Sequence, residues 1–267
     1  WRSALAISAW VAQSDAQIDR LPSEKQEELR SEMQSIAKEA AAAFGLDRDH
    51  AGREAPPRST LYSTATTVGY VFPLLIGTLM VTTEFRHKTL TPTFLATPKR
   101  GVVLWGKIVV GIGIGVLFGV IGVLSAGIPA AGLLAGYGLG TDLTSPDTWA
   151  LFGRMILAYV LWVLVGIGVG ALIRNQVGAI VGVLVFTQFL EPVGRAAAAF
   201  VDGLSEVTRF LPGAASDALV GASVFTAATP GAGGDMLEWW VGGLVLLGYA
   251  AVFLVLGHVF SWRRDVT

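Results

Sequence analysis

"VVLWGKIVVGIGIGVLFGVIGVLSAGI", residues 102–128, is the stretch that decides the fold of this chain. Its only charged side chain is Lys107. An α-helix rises about 1.5 Å per residue, so about 20 apolar residues cross the roughly 30 Å hydrocarbon core of a membrane. We therefore predict a transmembrane helix here. The same reasoning predicts four more spans, at residues 61–83, at 149–173, from 177 onward and at 237–260.

The composition agrees with a membrane protein and excludes several kinds of site. Of the 267 residues, 53% are hydrophobic and only 15% are charged, and the mean hydropathy is +0.60; a soluble domain has about 25% charged residues. A net charge of −1 gives no basic face for nucleic acid. The absence of cysteine excludes disulfides, thiolate metal sites and cysteine nucleophiles. The predicted fold class is all-α, a polytopic transmembrane helix bundle.

The N-terminal part of the chain divides into two predicted segments. Residues 1–12, "WRSALAISAWVA", are apolar but too short to cross a membrane alone. We expect them to be the stub of a first span that begins before Trp1, which gives six spans in the natural protein, or else an interfacial segment. Residues 13–60 contain a predicted amphipathic helix, with a capping box at Ser23 and Gln26 and an end at Gly45. Residues 61–267 form the predicted transmembrane domain.

The distribution of Lys and Arg predicts the orientation, because loops on the cytoplasmic side carry an excess of them. Residues 84–107, the turn at residues 174–175 and the tail "SWRRDVT" hold eight Lys and Arg against two acidic residues. The loops at 137–148 and 191–238 hold two against eight. We therefore expect residues 84–100 and the C-terminus to be cytoplasmic, and residues 13–60 and 201–235 to be external.

The segment between the first two clear spans, "EFRHKTLTPTFLATPKRGVVLWGKI" at residues 84–108, has the features of an amphipathic helix on the inner membrane surface. Charged residues occupy its beginning, and Leu90, Phe94 and Leu95 fall on one apolar side. The pair Thr97-Pro98 ends the helix, since the residue before a proline avoids α geometry. A helix tied in this way to two spans is suited to receive a push from a cytoplasmic partner.

The order and spacing of residues in this segment resemble the signature of ABC transporter permeases of the type-2 export class. Downstream, "ALIRNQVGAIVG", "EPVGR", "FLPGAAS" and the terminal "RRDVT" also resemble landmarks of that family, so the likeness runs from about residue 61 to the end. The chain departs from the family in its absent or truncated first span and in the run Pro-Lys-Arg at 98–100, where many relatives carry Pro-Val/Ile-Ser-Arg. The matching pattern is Glu84…Arg86…Thr89-Leu90…Leu95-Ala96-Thr97-Pro98-x-Arg100…Gly106-Lys107.

The resemblance implies a permease subunit that exports a hydrophobic or amphiphilic substrate (a drug, antibiotic, lipid or lipid-linked glycan) across the cell membrane. It implies a coupling helix within 84–100 that docks on a cytoplasmic P-loop ATPase, ATP and Mg²⁺ held by that partner alone, and a second permease subunit in a homo- or heterodimer. The alternative is an ion-coupled secondary transporter or a membrane structural partner without an ATPase. The residues implied in the ATPase contact are Glu84, Arg86, Lys88, Thr89, Leu90, Phe94, Leu95, Thr97, Pro98 and Arg100.

Two catalytic interpretations of the chain fail on chemistry and spacing. Residues 101–108 come within one residue of the phosphate-binding loop G-x-x-x-x-G-K-[ST], but Ile108 replaces the hydroxyl that holds Mg²⁺. We predict Lys107 to be a lipid-headgroup anchor instead. An intramembrane serine protease also fails, because Ser125 and His258 are predicted at opposite membrane surfaces and a nucleophile must reach its base. We expect no enzymatic activity and no metal site in this chain.

Charged residues inside the predicted spans are candidates for function, because ionisable groups in lipid are costly. They are Arg154, Glu191 and Arg195, and the last two share a helix face at i, i+4. Pro192 predicts a bend between them. Two interpretations stay open: one structural cluster in the outer half of the bundle, or a polar lining of the substrate route. Glycines spaced by four predict close helix packing in the bundle or in a dimer seam; they are Gly111, Gly115 and Gly119, Gly166 and Gly170, and Gly178 and Gly182.

Overall fold

A computed structural model describes Lys25 and residues 58–87, 89, 100–136, 141, 143–173, 175–198, 200–201, 203–221 and 237–262. The predicted stub at 1–12 and the predicted external helix within 13–60 lie outside these residues. The described residues contain only helices and their connections, which confirms the predicted all-α fold class. The α-helices are α1 (Arg58–Gly69), α2 (Val71–Arg86), α3 (Arg100–Gly136), α4 (Pro146–Leu172), α5 (Gln176–Val185), α6 (Glu191–Ala197), α7 (Leu204–Thr208), α8 (Pro212–Val220) and α9 (Trp239–Leu256).

Five continuous stretches of the described helices are long and apolar enough to cross a membrane, as the sequence predicted. Local chemistry sets two of their beginnings. The Ser145 side chain accepts a hydrogen bond from the Asp147 N–H at the start of α4, and Asn175 does the same for Gly178 at the start of α5. The stretches are Ala65–Arg86, Gly101–Gly132, Pro146–Leu172, Gln176–Ala197 and Trp239–Phe260.

Helix α4 is the centre of the bundle. Of its most apolar stretch 78% is buried, against 22% for the corresponding stretch of α3. Glycines allow other helices to approach its backbone closely. A side chain at Gly170 would lie 2.6 Å from the carbonyl oxygen of Thr78 on α2, and one at Gly168 would lie 2.7 Å from Cβ of Phe253 on α9. Because lipid offers no hydrophobic force between helices, such close packing is what holds spans together.

The predicted glycine seams have two different outcomes. Gly111, Gly115 and Gly119 on α3 all face α4, and an added Cβ at Gly115 would lie 2.6 Å from Cα of Val160. This confirms packing within the bundle for that set, and Gly166 and Gly170 behave in the same way against α2. An added Cβ at Gly182 would meet nothing within 4 Å. The α5 pair therefore does not pack within the described chain, and its role in a dimer seam stays a prediction.

The span that carries the buried charges is interrupted where the sequence predicted a bend. Residues Phe186–Leu190 form a π-helical turn between α5 and α6, and the Glu191 N–H donates to the carbonyl of Phe186, five residues back. Pro192 follows directly, and a proline removes one backbone donor and crowds the preceding turn. The local widening into a π turn accommodates it.

The stretch from 201 to 221, predicted as external loop, contains two helices, and one of them belongs to the core. Helix α8 is nine residues long, and most of its side chains are buried against α4 and α9. Residues typical of helix ends bound it: Pro212 is its first residue, and Gly221, with φ of 80°, follows its last residue. The stretch predicted as an external loop is therefore partly helical, with α8 in the core and Glu206 of α7 exposed, and its external placement stays a prediction.

Candidate functional site

The carboxylate of Glu191 binds the N-terminus of α8. Its Oε1 accepts a hydrogen bond of 2.9 Å from the backbone N–H of Ala214, and the residue is only 3% exposed. Gly213 makes this approach possible, because a Cβ there would lie 2.8 Å from the carboxyl carbon of Glu191. The unpaired N–H groups and the positive end of the helix dipole both favour an anion at this position.

One turn further along, α6 and α8 are joined by an ion pair. Arg195 Nη2 lies 2.8 Å from Asp217 Oδ2, with both side chains largely buried. Glu191 and Arg195 therefore share one face of α6, as predicted. Each of them contacts α8, so two side-chain contacts join the two helices. Asp217, the partner of Arg195, was not predicted as part of this site. The two connections, one turn apart on each helix, form what we call the α6–α8 clamp.

Aromatic and polar side chains of the core lie around the α6–α8 clamp. Tyr70 at the start of α2 stacks on Trp162 of α4 with ring centroids 4.4 Å apart. The indole N–H of Trp162 donates to Ser216 Oγ on α8 at 3.0 Å, and Gln188 Nε2 donates to the Tyr70 hydroxyl at 3.2 Å. The π turn, α2, α4 and α8 are thus connected through side chains beside Glu191.

One oxygen of the Glu191 carboxylate has capacity left for a ligand. Oε2 is buried and has no hydrogen-bond partner among the described residues. A buried carboxylate oxygen normally has a partner, so a proton, a cation, a water molecule or a donor on a substrate fits here chemically. Among the described residues, no group of three or more His, Cys, Asp and Glu side chains is arranged to hold a metal ion.

Arg154 is not part of the α6–α8 clamp, contrary to the prediction of one three-residue cluster. Its guanidinium Nε donates to the carbonyl of Ala150 at 3.4 Å, and Cζ lies 5.8 Å from the centre of the Trp239 ring. The ion pairs within the described part of the chain join other residues, so no described carboxylate pairs with it. The sequence places these charges along their spans but does not say where each span lies around the bundle.

Lys107 contacts protein at the opposite end of the bundle, and its role as a lipid-headgroup anchor stays a prediction. Its Nζ lies 2.6 Å from Glu84 Oε1 and 2.9 Å from the carbonyl oxygen of Met80, and the side chain is 11% exposed. These contacts join α3 to α2, the two helices that flank the 87–99 segment in the sequence. Residues 101–108 all belong to the continuous helix α3 rather than to a strand, loop and helix, as phosphate binding would require.

The residues implied in an ATPase contact fall into three groups. Glu84 and Arg86 belong to α2 itself, and Arg86 Nη1 donates to Gln176 Oε1 on α5 at 3.2 Å. Thr89 is exposed, and its N–H donates to the Glu84 carbonyl at 3.2 Å, while Arg100 begins α3. The others lie outside the described residues, and with them any separate coupling helix; they are Lys88, Leu90, Phe94, Leu95, Thr97 and Pro98.

Comparison with known proteins identifies no family. No protein-family model matches the chain, and no curated protein matches it. The family resemblance in the 84–108 segment therefore enters only as a hypothesis about function. The described residues are helical apart from their connections, and they include five stretches long and apolar enough to cross a membrane.

Proposed function

We propose that this chain is the transmembrane permease subunit of an ATP-driven ABC exporter for a hydrophobic or amphiphilic substrate. In this proposal a separate P-loop ATPase binds ATP and Mg²⁺ and docks on residues 84–100 at the cytoplasmic face of the cell membrane. A second permease subunit, identical or different, completes the transporter. The chain itself hydrolyses nothing.

The observation that supports this proposal most is the way in which the two ends of the 87–99 segment are joined. Glu84 lies in the last turn of α2 and Lys107 lies two turns into α3, and their ion pair joins the two helices that flank the segment. A force applied to the segment would therefore act on α2 and α3 together. This is the mechanical arrangement that a coupling helix needs.

The contacts of α2 provide a route from that end to the α6–α8 clamp. At one end of α2, Arg86 binds Gln176 at the start of α5; at the other, Tyr70 binds Gln188 in the π turn. Helix α2 thus contacts the same span at both of its ends, and the π turn directly precedes Glu191. A tilt of α2 would change the position of Glu191 at α8, which gives the clamp the role of an outer gate.

Purification from the native membrane tests the proposal. A P-loop ATPase is expected to co-purify in a fixed ratio, and vesicles that contain both subunits should transport only with ATP. Leu90→Asp or Phe94→Ala should abolish this association and uncouple transport while the permease stays folded. Thr93→Ala in the same segment is the control and should bind the ATPase normally. A transport-competent complex with both apolar variants would contradict the assignment.

The buried carboxylate of Glu191 beside the π turn favours one second candidate, an ion-coupled transporter. Such proteins bind their ions at interrupted helices, and here a buried carboxylate with an unused oxygen follows a π turn. The two candidates differ in their energy source. Transport that continues after ATP depletion but stops when an ionophore collapses the ion gradient supports the second candidate; the opposite result supports the exporter.

A further inference from the structure

Helix α4 reaches the surface of the described chain at one end only. Beyond its first turn the exposed positions are Trp149, Ala150, Gly153 and Leu157, and no later residue of α4 is exposed. Apart from Trp149 and Leu157 these are small side chains, and an added Cβ at Gly153 would meet nothing within 4 Å. The otherwise enclosed central helix therefore exposes one small, mostly apolar patch, which we call the α4 window.

Arg154 lies beside the α4 window at a point where three helices meet. Its Nη1 is 3.4 Å from the position of a Cβ on Gly221, which ends α8, and its Cζ is 5.8 Å from the ring of Trp239, which begins α9. The end of α8 carries partial negative charge, which favours a cation nearby. These contacts position the guanidinium, but they do not neutralise it, since it has no carboxylate partner within the described residues.

Three exposed tryptophans lie near Arg154 at one end of the bundle. Trp149, Trp239 and Trp240 are all more than half exposed and lie at the same end of α4 and α9. Exposed tryptophans collect at the boundary between hydrocarbon and headgroups, because their rings are amphipathic. A cation among them, beside the exposed positions Gly153 and Leu157 of α4, matches an amphiphile with an anionic phosphate and an acyl chain.

We propose that Arg154 and the α4 window bind the headgroup phosphate and one acyl chain of an anionic phospholipid from the surrounding leaflet. The guanidinium offers several N–H donors in a planar fork, which suits phosphate oxygens. The acyl chain follows Gly153 and Leu157 along α4. This site is independent of the proposed transport function and of the ATPase.

Lipid-dependent stability of the purified full chain tests the site. The wild-type protein is expected to unfold at a higher temperature with phosphatidylglycerol than with phosphatidylcholine, and to retain phosphatidylglycerol in native mass spectrometry. Arg154→Gln should lose this difference and retain the lipid about fivefold less well, since one basic residue near an anionic surface contributes about 1 kcal/mol. Arg154→Lys keeps the charge and should retain part of the difference, which provides a folded test should the glutamine variant fail to fold.

Arg209→Gln is the matched control. Arg209 also lies beside an aromatic ring, with Cζ 5.1 Å from the centre of Phe210, but on an exposed part of the chain outside the five spans. It should leave the lipid preference unchanged. The proposal is overturned if Arg154→Gln keeps the phosphatidylglycerol effect, if it destabilises the protein equally in both lipids, or if inorganic phosphate reproduces the effect. Association of a second copy that depends on Arg154 and not on lipid also overturns it.

Discussion

Gly213→Ala tests the α6–α8 clamp most directly, because the position needs space and not an unusual backbone. Among the described residues, positive φ values occur at Gly203 and Gly221, not at Gly213. An alanine Cβ would lie 2.8 Å from the carboxyl carbon of Glu191 and 2.9 Å from its Oε2. Ordinary contacts between carbon atoms are about 3.5–4.0 Å. Glu191 must therefore move and lose its bond to the N–H of Ala214.

Three contributions set the size of the effect. Loss of a hydrogen bond to a charged group costs about 1.5–3 kcal/mol. Crowding a packed interior adds about 1–3 kcal/mol. The better helix propensity of alanine offsets these by at most about 1 kcal/mol. We expect Gly213→Ala to lower the free energy of unfolding by about 2–4 kcal/mol.

Unfolding in mixed detergent micelles measures this value, and a double-mutant cycle with Glu191→Ala identifies its cause. Without the carboxylate the added methyl has room, so Gly213→Ala should then cost less than about 1 kcal/mol. Gly248→Ala on α9 is the control, since an added Cβ there meets nothing within 4 Å. It should be neutral or slightly stabilising. An equal cost of Gly213→Ala with and without the Glu191 carboxylate would refute the reasoning.

The remaining predictions concern the two ion pairs and use the same unfolding assay. Asp217→Asn should destabilise by about 3–5 kcal/mol, because it removes the carboxylate of a largely buried ion pair, whereas Glu206→Gln on the exposed helix should stay within about 0.5 kcal/mol. The swap of Arg195→Asp with Asp217→Arg should restore part of the loss, and no recovery would show that other contacts decide it. Lys107→Met should be strongly destabilising alone and close to wild type when combined with Glu84→Leu, because replacing both charges removes the unpaired carboxylate. Equal stability of that single and double variant would contradict the pairing of Lys107 with Glu84.

The spans could be predicted from the sequence because their signal is one-dimensional. A run of about 20 apolar residues has few alternatives to a membrane-crossing helix, and all five runs proved helical over the expected lengths. The bend at Pro192 was predictable for the same reason, since a proline acts on its own turn. The kind of bend, a π turn over Phe186–Leu190, was not predictable, because it depends on how neighbouring backbone bonds rearrange.

Only the α6 side of the α6–α8 clamp could be predicted. Glu191 and Arg195 stood out as charges within an apolar run, but their partners lie in a short Pro- and Gly-flanked stretch that resembles an exposed loop. The signal that was available is local: Pro212 and Gly221 bracket nine residues of low polarity, which is the pattern of a short helix. Within that bracket, Asp217 is the only acidic residue, and it is the partner of Arg195.

The protein contacts of Lys107 could not be predicted, for a reason that applies to any lysine near the end of a span. A lysine can extend toward headgroups or toward a carboxylate on a neighbouring helix, and the sequence spacing is the same in both cases. Here Glu84 lies within reach across the α2–α3 contact, and the Met80 carbonyl provides a second acceptor. The Lys107 ammonium therefore has two oxygen acceptors within the described protein.

Hydropathy did not indicate that α4 would be central, because lipid removes the contrast on which amphipathic patterns depend. In water a buried helix differs from a surface helix by its polar face, whereas in a bilayer both are apolar. Packing therefore decides the order of the helices. Helix α4 has Gly166 and Gly170 toward α2 and Gly168 toward α9, and it receives Gly115 of α3 on a further side. Small residues on several sides of α4 allow the neighbouring helices to enclose it. The α4 window beside Arg154 lies where that enclosure ends.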